Sequence, residues 1–137
     1  MQADNQTVSS RTGLWAGRIA GGLAVLFLLF DSVIKLAQIP PVIESFTRLG
    51  YPASLSVAIG TLELICLVVY LIPRVAIFGA LLLTGFLGGA VATHVRVQDP
   101  LFSHVLFPTY VGILLWAGLW LRNARLRALI PAQRSGR

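Results

Sequence analysis

Four long apolar runs, parted by short polar breaks, organise this chain. The first opens at Leu14-Trp15 and continues from Ile19 to Ile39, interrupted by Asp31 and Lys35. Pro40-Pro41 stops it, because proline donates no backbone hydrogen bond and disfavours helix at the residue before it. The second run, Ala53 to Ile72, holds a single charge, Glu63. The third, Val75 to Val95, holds no Asp, Glu, Lys or Arg, and its one ionisable side chain is His94. The fourth, Leu101 to Leu121, has Pro108 inside it, which predicts a kink. Ahead of it, Asp99-Pro100 reads as an N-cap followed by a first-turn proline.

Each run has the length that a helix rising 1.5 Å per residue needs to cross a hydrocarbon core of about 30 Å. Transmembrane strands would be about ten residues long and alternate polar with apolar, which none of these runs does. Val42 to Leu49 differs in kind. Val42, Ile43, Phe46 and Leu49 share one helical face, with Glu44, Ser45, Thr47 and Arg48 on the rest, as in a short amphipathic helix lying in the interface. Gly50 reads as its C-terminal cap, Tyr51 as an interfacial aromatic and Pro52 as a first-turn residue of the next helix. The sequence therefore predicts an all-α integral membrane four-helix bundle, with spans near 15–39, 53–72, 75–95 and 101–121 and the interfacial helix between the first two. Residues 1–12 form a polar tail, disordered or cytosolic, 13–130 the single membrane domain, and 131–137 a basic tail. A signal peptide is the rival reading of the first run; the charged Asp31 and Lys35 and the lack of a small-x-small cleavage site favour an uncleaved helix. Small residues at spacing four (Gly13, Gly17, Gly21; Ser56, Gly60; Gly85, Gly89, Thr93) are expected to be helix contact faces.

Composition agrees with the runs. Of the 137 residues 56% are hydrophobic and 12% charged, against about 25% charged in a soluble domain, and the mean hydropathy is +0.80. Too little chain remains outside the runs for a separate soluble domain. The balance of 11 basic to 5 acidic residues raises the question of nucleic acid. The basic residues, however, sit at the ends of apolar runs without aromatic interleaving, so no nucleic-acid partner is expected. With four spans, Arg11, Arg18, Arg74 and five C-terminal arginines fall on one side and Lys35, Arg48 and Arg96 on the other. The positive-inside rule then puts both termini in the cytoplasm of a multi-pass inner (plasma) membrane protein. Cys66 is alone, so in-chain disulfide chemistry is excluded, and it reads as a small buried side chain.

Charges inside spans are the informative departures, since each costs roughly 2.5–3.5 kcal/mol at mid-helix. Glu63 lies near the midplane. Ser56, Glu63 and Tyr70, spaced by seven, share its face. Asp31 and Lys35 sit at i and i+4, the favourable order for an ion pair. His94, Arg96 and His104 come at the outer level of the third and fourth runs. Depth counting thus gathers Asp31, Lys35, Glu63, His94, Arg96 and His104 as a candidate polar pocket, open outward and roofed by residues 42–50. Such a pocket suits the head group of an apolar small molecule such as a quinone, or a proton relay. The competing reading is a structural network, with Asp31 and Lys35 neutralising each other, Lys35 and Arg96 snorkelling to head groups and Glu63 held neutral by desolvation. No metal site is expected, because two histidines lack further ligands. No nucleotide, hydrolase or zinc-protease signature is present, and whether the chain is an enzyme stays open.

Phe30-Asp31-Ser32-Val33-Ile34-Lys35-Leu36, Leu49-Gly50-Tyr51-Pro52, Leu71-Ile72-Pro73-Arg74, and Gly89 to Arg96 with Asp99-Pro100 resemble the DoxX-like family of small four-helix membrane proteins. The similarity runs from about Trp15 to Pro131. It implies a bacterial four-helix integral membrane protein, in which Lys35, His94 and Arg96 fall on the family's recurring polar positions. The wider group takes its name from a membrane subunit of a thiosulfate:quinone oxidoreductase, and relatives are linked to redox stress or to membrane-protein assembly. The expected function is binding of a quinone-like or lipid-like molecule as the membrane component of a redox system. Quinone is the candidate cofactor, and the bilayer, a membrane protein or a second copy the candidate partners. A non-enzymatic assembly or interaction protein is the alternative, and a proton-coupled transporter the third.

Overall fold

The computed structural model describes residues 2–129, with side chains from Arg11 onward. The order is α1 (Gln2–Ala37), α2 (Pro40–Arg48), α3 (Leu55–Leu71), α4 (Ala76–Arg96), a π-helical turn (Leu101–Val105), α5 (Phe107–Arg122) and α6 (Ala124–Leu129). No strand occurs among the described residues, and the chain is all-α. The polar segment ahead of Gly13 continues α1 back to Gln2 instead of forming a separate irregular tail. The basic residues 131–137 lie outside the described residues.

The four long helices close into a ring: α1 packs on α3 and α5, and α4 packs on the same two from the opposite side. Three segments are long and apolar enough to cross a membrane, Arg11–Ala37, Ala76–Arg96 and Leu101–Arg122. α3 is equally apolar but has 17 residues, because Pro52 and Pro73 bracket it. A hydrophobic core of Leu28, Leu67, Tyr70, Leu83, Leu115 and Leu119 fills the ring, each at most 1% exposed. The outside is apolar too: Leu26, Phe30, Phe78 and Ile113 are 57–65% exposed. Helices apolar all round, inside and out, are what a lipid solvent requires.

Glycine sets how closely the helices approach. A Cβ on Gly118 of α5 would lie 2.6 Å from the Gly21 nitrogen, and one on Gly79 of α4 would lie 2.3 Å from the Tyr70 nitrogen of α3. Gly17 meets α5 in the same way, and Gly60 meets Ser32 and Lys35 of α1. These stripes are contact faces. Gly13, Gly85 and Gly89 are not, since a Cβ on any of them meets nothing within 4 Å.

The junctions follow the prolines, with two corrections. α1 ends at Ala37, and Gln38, with a φ of 51°, turns the chain before Ile39-Pro40. α2 buries Val42 and Phe46, with Leu49 just beyond its end, so its apolar face caps the bundle. Pro108 does not kink a continuous helix. It occupies the first turn of α5, where a missing N–H costs nothing, and the break falls one residue before α5, at Leu106, after the π-helical turn. Asp99 is not an N-cap either, because Arg48 and His94 take its carboxylate.

Candidate functional site

The site begins with a charge that has been brought into the bundle. Glu63 projects from the middle of α3 and is fully buried. The Lys35 ammonium of α1 donates to its Oε2 at 2.8 Å and to Asp31 Oδ2 at 2.5 Å. The Asp31–Lys35 spacing of one helical turn makes the first pair, and the close α1–α3 approach at Gly60 makes the second. Ser56, Glu63 and Tyr70 all face inward, as their spacing predicts. Ser56 Oγ donates to the Lys35 carbonyl at 3.2 Å, fixing α1 against α3 one turn beyond. The Lys35 ammonium also lies 5.4 Å from the Phe86 ring centre of α4, a cation–π distance.

Two carboxylates thus share one ammonium, and one buried oxygen is left over. Glu63 Oε1 is buried without a hydrogen-bond partner among the described residues. An orphaned buried acceptor costs about 1–3 kcal/mol, more when charged, so it calls for an explanation.

Glu63, Lys35 and Asp31 form part of the wall of a cavity of about 740 Å³. Its remaining wall is mostly apolar, drawn from α3 (Leu62), α4 (Leu81, Phe86), the α2 end (Phe46), α1 (Phe27) and α5 (Val111). Leu62 and Leu81, both more than half exposed, place part of that wall on the flank of the bundle. Gly85 and Gly89 line it where a side chain would intrude. The size falls in the range of small-molecule sites, and so does an apolar wall with a few convergent polar groups.

A second polar group stands at the outer edge. Asp99 accepts from Arg48 of α2 at 2.5 Å and pairs with His94 Nδ1 of α4 at 2.5 Å. Hydrogen bonds from Arg48 first, then from His94, hold the Asp99 carboxyl at about 2, well below the usual carboxylate range. The same bonds raise the Arg48 guanidinium above its ordinary value. Arg96 donates to the Leu49 carbonyl and stacks 5.6 Å from the Tyr51 ring centre. Tyr51 is within 3.1 Å of the Thr93 hydroxyl. Gly50, at φ 77°, makes the turn that allows this. Together these bonds tie the α2–α3 segment over the end of α4.

The structure therefore splits the six candidate residues. Asp31, Lys35, Glu63 and His94 line the cavity. Arg96 and His104 do not: Arg96 clamps the Leu49–Tyr51 turn, and His104 is exposed, bonded to Ser103 Oγ at 2.8 Å with its ring 6.0 Å from that of His94. Sequence reasoning had no cue to Phe86 or to Thr93 as wall residues, since one apolar or small side chain in a membrane run looks like another. Tyr51 was visible as an interfacial aromatic but not as a partner of α4.

No curated protein and no solved structure matches this chain. The family model described as the DoxX-like family does match, over residues 19–118, a stretch that includes all six candidate polar positions and runs from the second half of α1 through most of α5. The chain belongs to the DoxX-like family.

Proposed function

We propose that this DoxX-like membrane protein binds a membrane-dissolved small molecule, apolar in body and polar at its head, in the cavity between α3 and α4. An unpartnered buried oxygen on Glu63, a residue that lines an apolar cavity of about 740 Å³, carries the reading. Exposed Leu62 and Leu81 in the same wall suit entry from the acyl region. In this reading α3 is a fourth crossing, and the arginine-rich end, with both termini, faces the cytoplasm of the inner membrane. The α2 end faces outward.

The chemistry of the wall narrows the head group. The unbonded carboxyl oxygen of Glu63 is an acceptor site, and a hydroxyl head group would supply it with a donor. A quinone-type molecule fits in its reduced, hydroxyl-bearing form, with Phe86 and Phe46 against the ring and Glu63 on the hydroxyl. A hydroxylated lipid fits by the same contacts. As the membrane component of a redox system, the chain would hold and orient such a molecule, and a partner would exchange electrons with it.

The test uses two probes that differ by one donor, para-nonylphenol and its methyl ether, bound to the protein in nanodiscs. A hydrogen bond to a charged group is worth about 1.5–3 kcal/mol, so the phenol is expected to bind at least about tenfold more tightly. In Glu63→Gln the amide oxygen turns to Lys35 and the NH₂ to the cavity, and the preference for the phenol disappears. Gly89→Phe fills the cavity and removes both probes. Equal binding of phenol and ether to the unmodified protein would overturn the donor assignment, and binding of neither would overturn the cavity as a site, leaving the network a structural one.

A further inference from the structure

At the opposite end of the bundle lies a second cavity, of about 560 Å³, rimmed by Arg18, Arg74, Arg122 and Arg125. They come from four separate places: α1, the α3–α4 turn, the end of α5, and α6. All four are exposed. The inner wall is the buried trio Tyr70, Ala76 and Leu119, which gives the cup a closed apolar floor.

No carboxylate answers these charges among residues 11–129, whose side chains are described. Asp31 and Glu63 are taken up with Lys35, Asp99 with Arg48 and His94, and Glu44 sits in α2 at the far end. What the arginines have instead is orientation. The Arg122 guanidinium lies 5.2 Å from the Tyr70 ring centre, and that of Arg18 lies 5.5 Å from the Trp15 ring centre. Stacking fixes a guanidinium plane without neutralising it. Arg74 and Arg125 make no side-chain bond at all among the described residues. Arg127, by contrast, is bonded to the Trp120 and Leu121 carbonyls and takes no part.

Four guanidinium groups around one cup form a receptor for an oxyanion with several acceptor oxygens. The planar fork matches phosphate geometry two bonds at a time. Position chooses the source. The cup stands where Arg11–Ala37 begins and Leu101–Arg122 ends, the level of head groups for spans of these lengths. Leu14 and Leu71 stand in its wall, and Leu71, Trp15 and Ile19 are 51–61% exposed on the flank beside it. That surface can receive acyl chains that a free ion does not have.

We propose that this cup binds the phosphodiester head group of an anionic phospholipid. It is separate from the Glu63 cavity and does not depend on what fills that one.

The experiment measures lipid binding to the delipidated full chain in detergent at physiological salt, by native mass spectrometry. The probes are phosphatidylglycerol, phosphatidylcholine and inorganic phosphate. Phosphatidylglycerol is expected to bind at least about tenfold more tightly than phosphatidylcholine. Each arginine near an anionic head group contributes about fivefold, so Arg74→Gln with Arg125→Gln, about 25-fold together, abolishes a tenfold preference. These two contact no core residue through hydrogen bonds, so the double variant is expected to keep its helical circular dichroism and melting temperature. Arg11→Gln with Arg127→Gln, the same charge change outside the cup, leaves the preference intact. Equal binding of the two lipids overturns the proposal, as does an equal loss in both double variants, which would mean only net charge. Inorganic phosphate binding as tightly as the lipid overturns the lipid assignment in favour of a free anion.

Discussion

Among the described residues Lys35 is the one cation held between two carboxylates, at 2.5 Å from Asp31 and 2.8 Å from Glu63. Replacing it by methionine keeps an unbranched stem against Phe86 but removes the charge. Asp31, 28% exposed at its side chain, can turn to head groups or water, whereas Glu63, at 0%, cannot. Breaking a buried pair by removing one partner costs about 3–5 kcal/mol, because the other charge stays behind. Lys35→Met is therefore expected to lose about that much. Glu63→Gln leaves Lys35 bonded to Asp31 and still offers it an amide oxygen, so about 1 kcal/mol is expected there. The double variant has no stranded buried charge and is expected to be more stable than Lys35→Met alone. The deviation from additivity should reach about 2 kcal/mol, within the range for residues in one network. The assay is reversible unfolding in mixed micelles with increasing SDS, followed by circular dichroism, across all four corners of the cycle. A Lys35→Met protein within about 0.5 kcal/mol of the original, or a double variant no better than that single, would refute the argument, since surface pairs behave so.

The glycines give a paired test with opposite signs. Gly79→Ala puts a Cβ 2.3 Å from the Tyr70 backbone nitrogen, forces α3 from α4, and is expected to cost about 1–3 kcal/mol in the same unfolding assay. Gly85→Ala meets only open space and is expected to stabilise by up to about 1 kcal/mol through helix propensity. For Asp99 the sign follows from its depressed carboxyl. Its bonds to Arg48 and His94 stabilise the fold fully above about pH 4, the ordinary carboxylate value, and that contribution is lost as pH falls toward about 2. The melting temperature should drop across that window, and the drop should shrink in Asp99→Asn. Tyr51→Phe loses the bond to Thr93, an expected cost of about 1 kcal/mol, with faster amide exchange at residues 49–53 as the local readout.

Much of the site could be read along the chain because α-helices repeat in a known way. Asp31 and Lys35 had to meet, one turn apart on one helix. Ser56, Glu63 and Tyr70 had to share a face, and all three are buried. The amphipathic face of residues 42–49 had to seek cover. The turn chemistry was harder. Asp99 before Pro100 has the form of a cap, yet its carboxylate goes to Arg48, 51 residues away, because a charged partner outbids a backbone amide. Pro108 looked like a kink only while the fourth run was taken as one helix.

Apolar periodicity, charge placement and the prolines determined by themselves that this chain is helical, that lipid is its solvent and that its charges would be inward-facing exceptions. They act through neighbours a few residues apart, and local geometry is written into the order of the residues. Only the tertiary structure decided which carboxylate would take Lys35, that Glu63 would keep an unanswered oxygen, and that Gly85 and Gly89 would line a void while Gly79 and Gly118 seal contacts. Those outcomes depend on how far four helices approach and rotate, set by the summed packing of many side chains at once.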